Sequence, residues 1–173
     1  MKSKIMELFT TTGRVITSPD ELFYLKNQDE DKMGIAISVV FQILLGIIIG
    51  LITQCISFGI IVAIAFIIMT LIGNITNTIF IMIFTRLFGA KGGFMQTFNM
   101  ISYTSAIDLV TIVTLALSTF KPLILVALLF VPLWKLVIQI TAVNTIYNIG
   151  YVRSFLCCNG FLAIIAIIIM GLI

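Results

Sequence analysis

Two charges stand where the sequence offers no water. Asp108 lies in ISYTSAIDLVTIVTLAL, residues 101–117, and Lys135 in VPLWKLVIQI, residues 131–140. A carboxylate and an ammonium in such runs suit one of two tasks. They can hold an ion, a proton or a charged solute in transit, or they can neutralise each other and lock two helices together. An Asp at the middle of a membrane helix costs about 2.5–3.5 kcal/mol on insertion, so it should face protein rather than lipid. Counted from Phe120 in the intervening turn, Asp108 is 12 residues back and Lys135 is 15 residues on. At roughly 1.5 Å per residue the two depths differ by about 4.5 Å, which a lysine stem can cover. The pair is expected to meet across an antiparallel hairpin.

Helical spacing gives both charges polar neighbours. Thr104, Asp108 and Thr111 share one side of the third apolar run, with Ser105 beside them. Pro132, Lys135 and Gln139 share a side of the fourth, and Pro132 frees the carbonyl of Leu128 as another acceptor. Asn74, Asn77 and Thr78 line one face of the second. The result is an expected polar cluster of Thr104, Thr111 and Gln139 beside an Asp108–Lys135 pair, structural or transporting, with Asn74 and Asn77 nearer the cytoplasmic end.

Other chemistry is poorly served. The chain has no histidine, so the commonest general base and metal ligand is missing. Cys55, Cys157 and Cys158 have no metal-ligand spacing, and neither a metal nor a cofactor is expected. The glycines of GAKGG do not follow phosphate-loop order and read as a turn. Ser118 and Lys121 form an isolated S-x-x-K without the companion motifs of penicilloyl-serine enzymes. No nucleophile–base set emerges, and a non-enzymatic protein is expected.

The elements that must position the pair follow from composition. Of 173 residues 61% are hydrophobic and only 10% are charged, against roughly 25% charged in soluble globules. With a mean hydropathy of +1.24, the solvent of this chain is lipid. A net charge of +3 is too mild to suggest nucleic acid. From Met33 onward the apolar sequence suffices for five crossings of roughly 20 residues. They are placed at 33–54, 59–85, 96–118, 122–148 and 154–173. Ser57 and Gly59 loosen the first break, RLFGAKGG makes the second, Lys121-Pro122 the third and NIGYVR the fourth. The fold class is thus an all-α polytopic bundle, with a cytoplasmic segment 1–32 and a five-span domain 33–173.

Lysine and arginine set its orientation. Five precede the first span, Arg86 and Lys91 lie in the second connection and Arg153 in the fourth, while Lys121 stands alone opposite. The positive-inside rule puts the N-terminus in the cytoplasm and the C-terminus outside. Within 1–32, SPDELFYL reads as a helix start with Ser18 as cap and Pro19 in the first turn. The apolar faces of this segment either lie on the bilayer or pack against the spans. Gly46 and Gly50, in GIIIG, form a GxxxG for close helix packing, within one chain or between two. Trp134 falls near mid-membrane and reads as packing.

RLFGAKGGFMQTFNMISYTSA is similar to the signature of the Yip domain family, the Ypt/Rab-interacting membrane proteins. Its members carry a short Leu-Gly-Gly loop, a Phe/Gln/Thr helix start and a Tyr-Ser-Ala pattern. SPDELF, matching the family's Pro-x-x-Phe region, precedes the first span, and LWKLVIQITAVNTIYNI resembles its fourth-span segment. Many members place a proline after Tyr-Ser-Ala, where this chain has Ile107 and Asp108. The resemblance implies a five-span protein of membrane organisation or traffic. Its expected partners are the lipid bilayer and either further copies of itself or other membrane proteins. A Rab-type GTPase joins them only in a eukaryote. The expected location is the cell membrane, or an endomembrane such as Golgi or ER in a eukaryote. The short N-terminal segment and abundant isoleucine point to a prokaryotic member. The competing reading is a small channel or carrier using the mid-membrane Asp/Lys site.

Overall fold

The computed structural model describes residues 2–26, 32–117 and 121–172. Among them the chain is helix and turn, with no strand. The helices are α1 (Lys2–Thr17), α2 (Pro19–Lys26), α3 (Met33–Ile52), α4 (Ile56–Leu87), α5 (Phe94–Ser102), α6 (Asp108–Ala116), α7 (Lys121–Tyr147) and α8 (Tyr151–Leu172). A five-residue 3₁₀ segment, Tyr103–Ile107, joins α5 to α6. Among the described residues four runs are long and apolar enough to cross a membrane: Met33–Ile52, Ile56–Leu87, Phe94–Ala116 and Ile124–Tyr147. The fifth expected span falls on α8, which has 22 residues, though the side chains of 161–169 lie outside those described.

A hydrocarbon solvent explains how these helices are made. α4 leaves Ile60, Ile61, Ile64, Ile68 and Ile72 exposed along its outer face, which in water would drive aggregation. In lipid it is the ordinary outer surface of a span. Hydroxyls on these helices turn back onto their own backbone, as Thr78 does to the Asn74 carbonyl and Thr114 to that of Val110, at 2.7 Å each. Each hydroxyl is then satisfied within its own helix rather than left facing acyl chains. At 32 residues α4 is about 48 Å long, longer than the roughly 30 Å hydrocarbon core, so it tilts or projects.

The centre of the bundle is the run α5–3₁₀–α6. Every residue from Thr97 to Asp108 is buried, and Tyr103 is wholly covered. α3 packs along it on one side and α7 on another, while α4 embraces α3 and touches α5 and α8. The α3–α4 hairpin is drawn together by small residues. Gly46 lies against Gly59 and Ala63, and Gly50 against Gly59, all within one chain.

This corrects the reading of Gly59 as part of the first turn. The turn lies earlier: Gln54 takes a left-handed φ of 55°, and the Cys55 amide closes on the Gly50 carbonyl at 3.0 Å. Gly59 sits one turn inside α4, where only a hydrogen atom fits between the helices. The second and fourth connections do turn at their glycines, with φ of +74° at Gly89 and +84° at Gly150. The third turn, residues 118–120 with Ser118 of the S-x-x-K, lies outside the described residues.

The N-terminal helices pack on the spans. Thr11, Thr12 and Val15 of α1 are buried, and α1 covers the 3₁₀ segment. Phe23 of α2, fully buried, meets the Tyr103 ring edge-on at 5.9 Å, an arrangement worth about 0.5–1.5 kcal/mol beyond its area. At the other end of α2, the Tyr151 hydroxyl donates to the Asp20 carboxylate at 2.6 Å. Met6 and Phe9 remain exposed on the outer side of α1.

Candidate functional site

Asp108 is the first residue of α6, delivered by the 3₁₀ segment, and it is 7% exposed. Lys135 comes from the middle of α7, three residues after Pro132. The Lys135 ammonium lies 2.6 Å from Asp108 Oδ1. The other carboxylate oxygen, Oδ2, accepts a hydrogen bond from the Gln42 side-chain amide of α3 at 3.0 Å. One carboxylate therefore ties three helices, with one oxygen for each partner. A buried ion pair offsets its desolvation only if such further hydrogen bonds complete it.

The lysine side chain is 36% exposed against 10% for the aspartate. An apolar crevice of about 300 Å³ lies between α6 and α7, lined by Thr111, Thr114, Leu115, Ile124, Ala127, Val131 and Pro132. The carboxylate is thus the enclosed member of the pair and the ammonium the peripheral one.

Gln42 is a partner that sequence reasoning missed. It is the lone amide in an aliphatic run, FQILL, and nothing local tells whether it faces inward. It belongs to a line of cross-helix polar contacts that α3 makes with the central run. Ser105 donates to Ser38 at 3.3 Å, and the Ile35 amide donates to the Asn99 side-chain oxygen at 3.3 Å. On other sides of the central run, Asn74 reaches Ser102 at 3.3 Å, and the Thr97 and Tyr147 hydroxyls meet at 2.8 Å.

The expected polar cluster is therefore distributed rather than gathered. Thr104 is buried but bonds the Ile101 carbonyl, one turn back at the end of α5, at 2.7 Å. Thr111 lines the crevice, Asn74 joins Ser102 several residues before Asp108, and Gln139 and Asn77 are half-buried outside these contacts. Among the described residues no group of three or more His, Cys, Asp or Glu is placed to hold a metal.

Trp134, beside Lys135, does more than pack. It stacks on Phe130 at 5.8 Å and its indole N–H donates to the Ile16 carbonyl at 3.1 Å, in the last turn of α1. Carbonyls at a helix end lack an intrahelical donor, so Trp134 supplies one. This contact links the N-terminal helix to the residue adjoining the ion pair. Trp134→Phe keeps the stack and removes the donor. It is expected to cost about 1 kcal/mol, read as a lower midpoint of unfolding in detergent and faster amide exchange in α1 than in α4.

No curated protein and no solved structure matches the chain. Its hydrophobic helices, the central buried run and the connection 88–93 nevertheless fall within one family model, the Yip1 domain, which matches residues 13–173. That match begins in the last turns of α1 and takes in α2, both ahead of the first span, together with every helix after them. The chain belongs to the Yip1 domain family and is a multi-pass membrane protein.

Proposed function

We propose that this chain is a non-enzymatic, five-span interaction protein of membrane organisation or traffic, working through its helix faces and its non-membrane ends. The N-terminus, with segment 1–32, lies in the cytoplasm, and the C-terminus of the 33–173 domain lies outside. The observation that carries this reading is the closure of the polar interior. Both oxygens of Asp108 are engaged, and no buried side-chain nitrogen or oxygen among the described residues lacks a partner. Polar groups that satisfy one another fix helix register and present nothing to a solute. Its partners are the bilayer and membrane proteins, further copies of itself included. A Rab-type GTPase enters only in a eukaryotic host, where the site of action is an endomembrane.

A small carrier is the second reading, favoured by the backbone around the charges. A 3₁₀ segment directly precedes Asp108, and Pro132 removes a backbone donor from within α7 one turn before Lys135. Broken helices beside charged residues recur in transporters. Purified protein in liposomes separates the two. The expected result is no proton or cation flux above empty vesicles. In native membranes, a reproducible crosslinked protein partner should survive the Asp108→Leu/Lys135→Met double change. Flux that disappears when Asp108 is neutralised overturns the interaction reading in favour of the carrier.

A further inference from the structure

At one end of the bundle three cations stand on the surface, where the Asp20 carboxylate of α2 is already engaged by the Tyr151 hydroxyl. Arg86 closes α4, Lys91 sits in the connection 88–93, and Arg153 lies in the first turn of α8; all three are exposed. Among the described residues none of them makes an ion pair. The Arg153 guanidinium instead lies 5.8 Å from the centre of the Phe88 ring, which brings α8 over the connection.

The connection itself is held down on both sides of Lys91. The Gly89 amide bonds the Arg86 carbonyl at 2.9 Å and the Ala90 amide bonds that of Thr85 at 3.1 Å. Ala90 packs against the buried cluster that contains Tyr147, and Gly92 lies against the Tyr147 ring, where a methyl group would not fit. Tyr147 is in turn fixed by Thr97. Lys91 is therefore presented outward from a braced loop rather than from a floppy one.

Immediately beside these cations runs an exposed apolar band: Leu87, Phe94 and Met95, and across from them Val152 and Phe155. Cations bordering such a band at the ends of membrane helices lie at the depth of lipid phosphates, with the acyl chains alongside the band. An acidic protein surface would match the charges and leave Leu87, Val152 and Phe155 unexplained. We infer that Arg86, Lys91 and Arg153 form a docking rim for anionic phospholipid headgroups. This rests on the chain crossing a bilayer and holds whether it organises membranes or carries a solute.

The test uses the full chain in mild detergent with equal phosphatidylglycerol and phosphatidylcholine, read by native mass spectrometry. The wild type is expected to retain phosphatidylglycerol preferentially, and Arg86→Gln/Lys91→Gln/Arg153→Gln to lose that preference about tenfold. Swapping the cations instead, as Arg86→Lys/Lys91→Arg/Arg153→Lys, should keep it, as should Lys32→Gln, a cation of another connection. Should the triple glutamine variant unfold, Lys91→Gln alone, at an exposed loop position, carries the same test with a smaller loss. Equal retention of the two lipids by the wild type overturns the assignment, and so does an unchanged preference in the variant. Displacement of the lipid by millimolar inorganic phosphate as readily as by phosphatidylglycerol also overturns it, since the rim then reads only a free anion.

Discussion

Asp108→Leu is expected to lower the stability of the bundle by about 3–5 kcal/mol, the largest loss of any single side chain here. Two groups are stranded by it. Lys135 keeps an ammonium with no counter-ion at membrane depth, and Gln42 keeps an amide with no acceptor. Lys135→Met should lose less, because Gln42 still engages one oxygen of the carboxylate and the lysine is the more exposed partner. Combining the two changes removes both charges, and most of the loss should return. Recovery stays incomplete by about 1–2 kcal/mol, since the Gln42 amide is still unmatched. Adding Gln42→Leu to the double variant should close that gap. Reversible unfolding of each variant in mixed micelles reads these differences. If the double variant is no more stable than either single one, the three-helix tie does not act as a unit.

Gly34→Val is the second large effect, near 3 kcal/mol, and its cause is steric rather than electrostatic. Gly34 opens α3 against the backbone of α5. A side-chain carbon there runs into the Asn99 carbonyl and comes within 2.9 Å of the Tyr103 ring. Backbone cannot rotate aside as a flexible side chain can, so α3 must slide away. The Ile35–Asn99 hydrogen bond at 3.3 Å goes with it. Gly13→Ala supplies the contrast. Nothing lies within 4 Å of its added carbon, and it sits inside α1, so the change should stabilise by up to about 1 kcal/mol. A thermal melt in detergent distinguishes them. A Gly34→Val melt equal to wild type removes the close α3–α5 approach.

Much of this architecture can be read along the chain because lipid imposes strict rules. Apolar runs long enough to cross a bilayer must be helical, and helices rise regularly, so counting residues relates Asp108 to Lys135 across a hairpin. Regularity is also where sequence reading stops. Gln42 and Asn77 are both amides in apolar helices, and only tertiary packing directs one to a carboxylate and leaves the other outside the site. Gly59 resembles a turn residue because glycine serves turns and close helix contacts alike. The placing of α1 and α2 was open for a similar reason. An amphipathic helix suits the bilayer surface as well as a protein groove, and the choice rests on what Val15 and Phe23 meet. YTSAI carries no local mark of tight winding at all; what distinguishes it is that α1, α3 and α7 all pack against it.

That winding fixes the azimuth of the carboxylate. A 3₁₀ turn advances about 120° per residue and an α-turn about 100°, so five residues accumulate roughly 100° of extra rotation. They also lengthen the strut by about 2.5 Å. Drawn as one uninterrupted α-helix from Phe94, the same sequence would aim Asp108 more than a quarter turn away from Gln42 and Lys135. The compass bearing of the acid is therefore a property of pitch, not of any side chain, and a single inserted or deleted residue between Tyr103 and Ile107 would swing it off target.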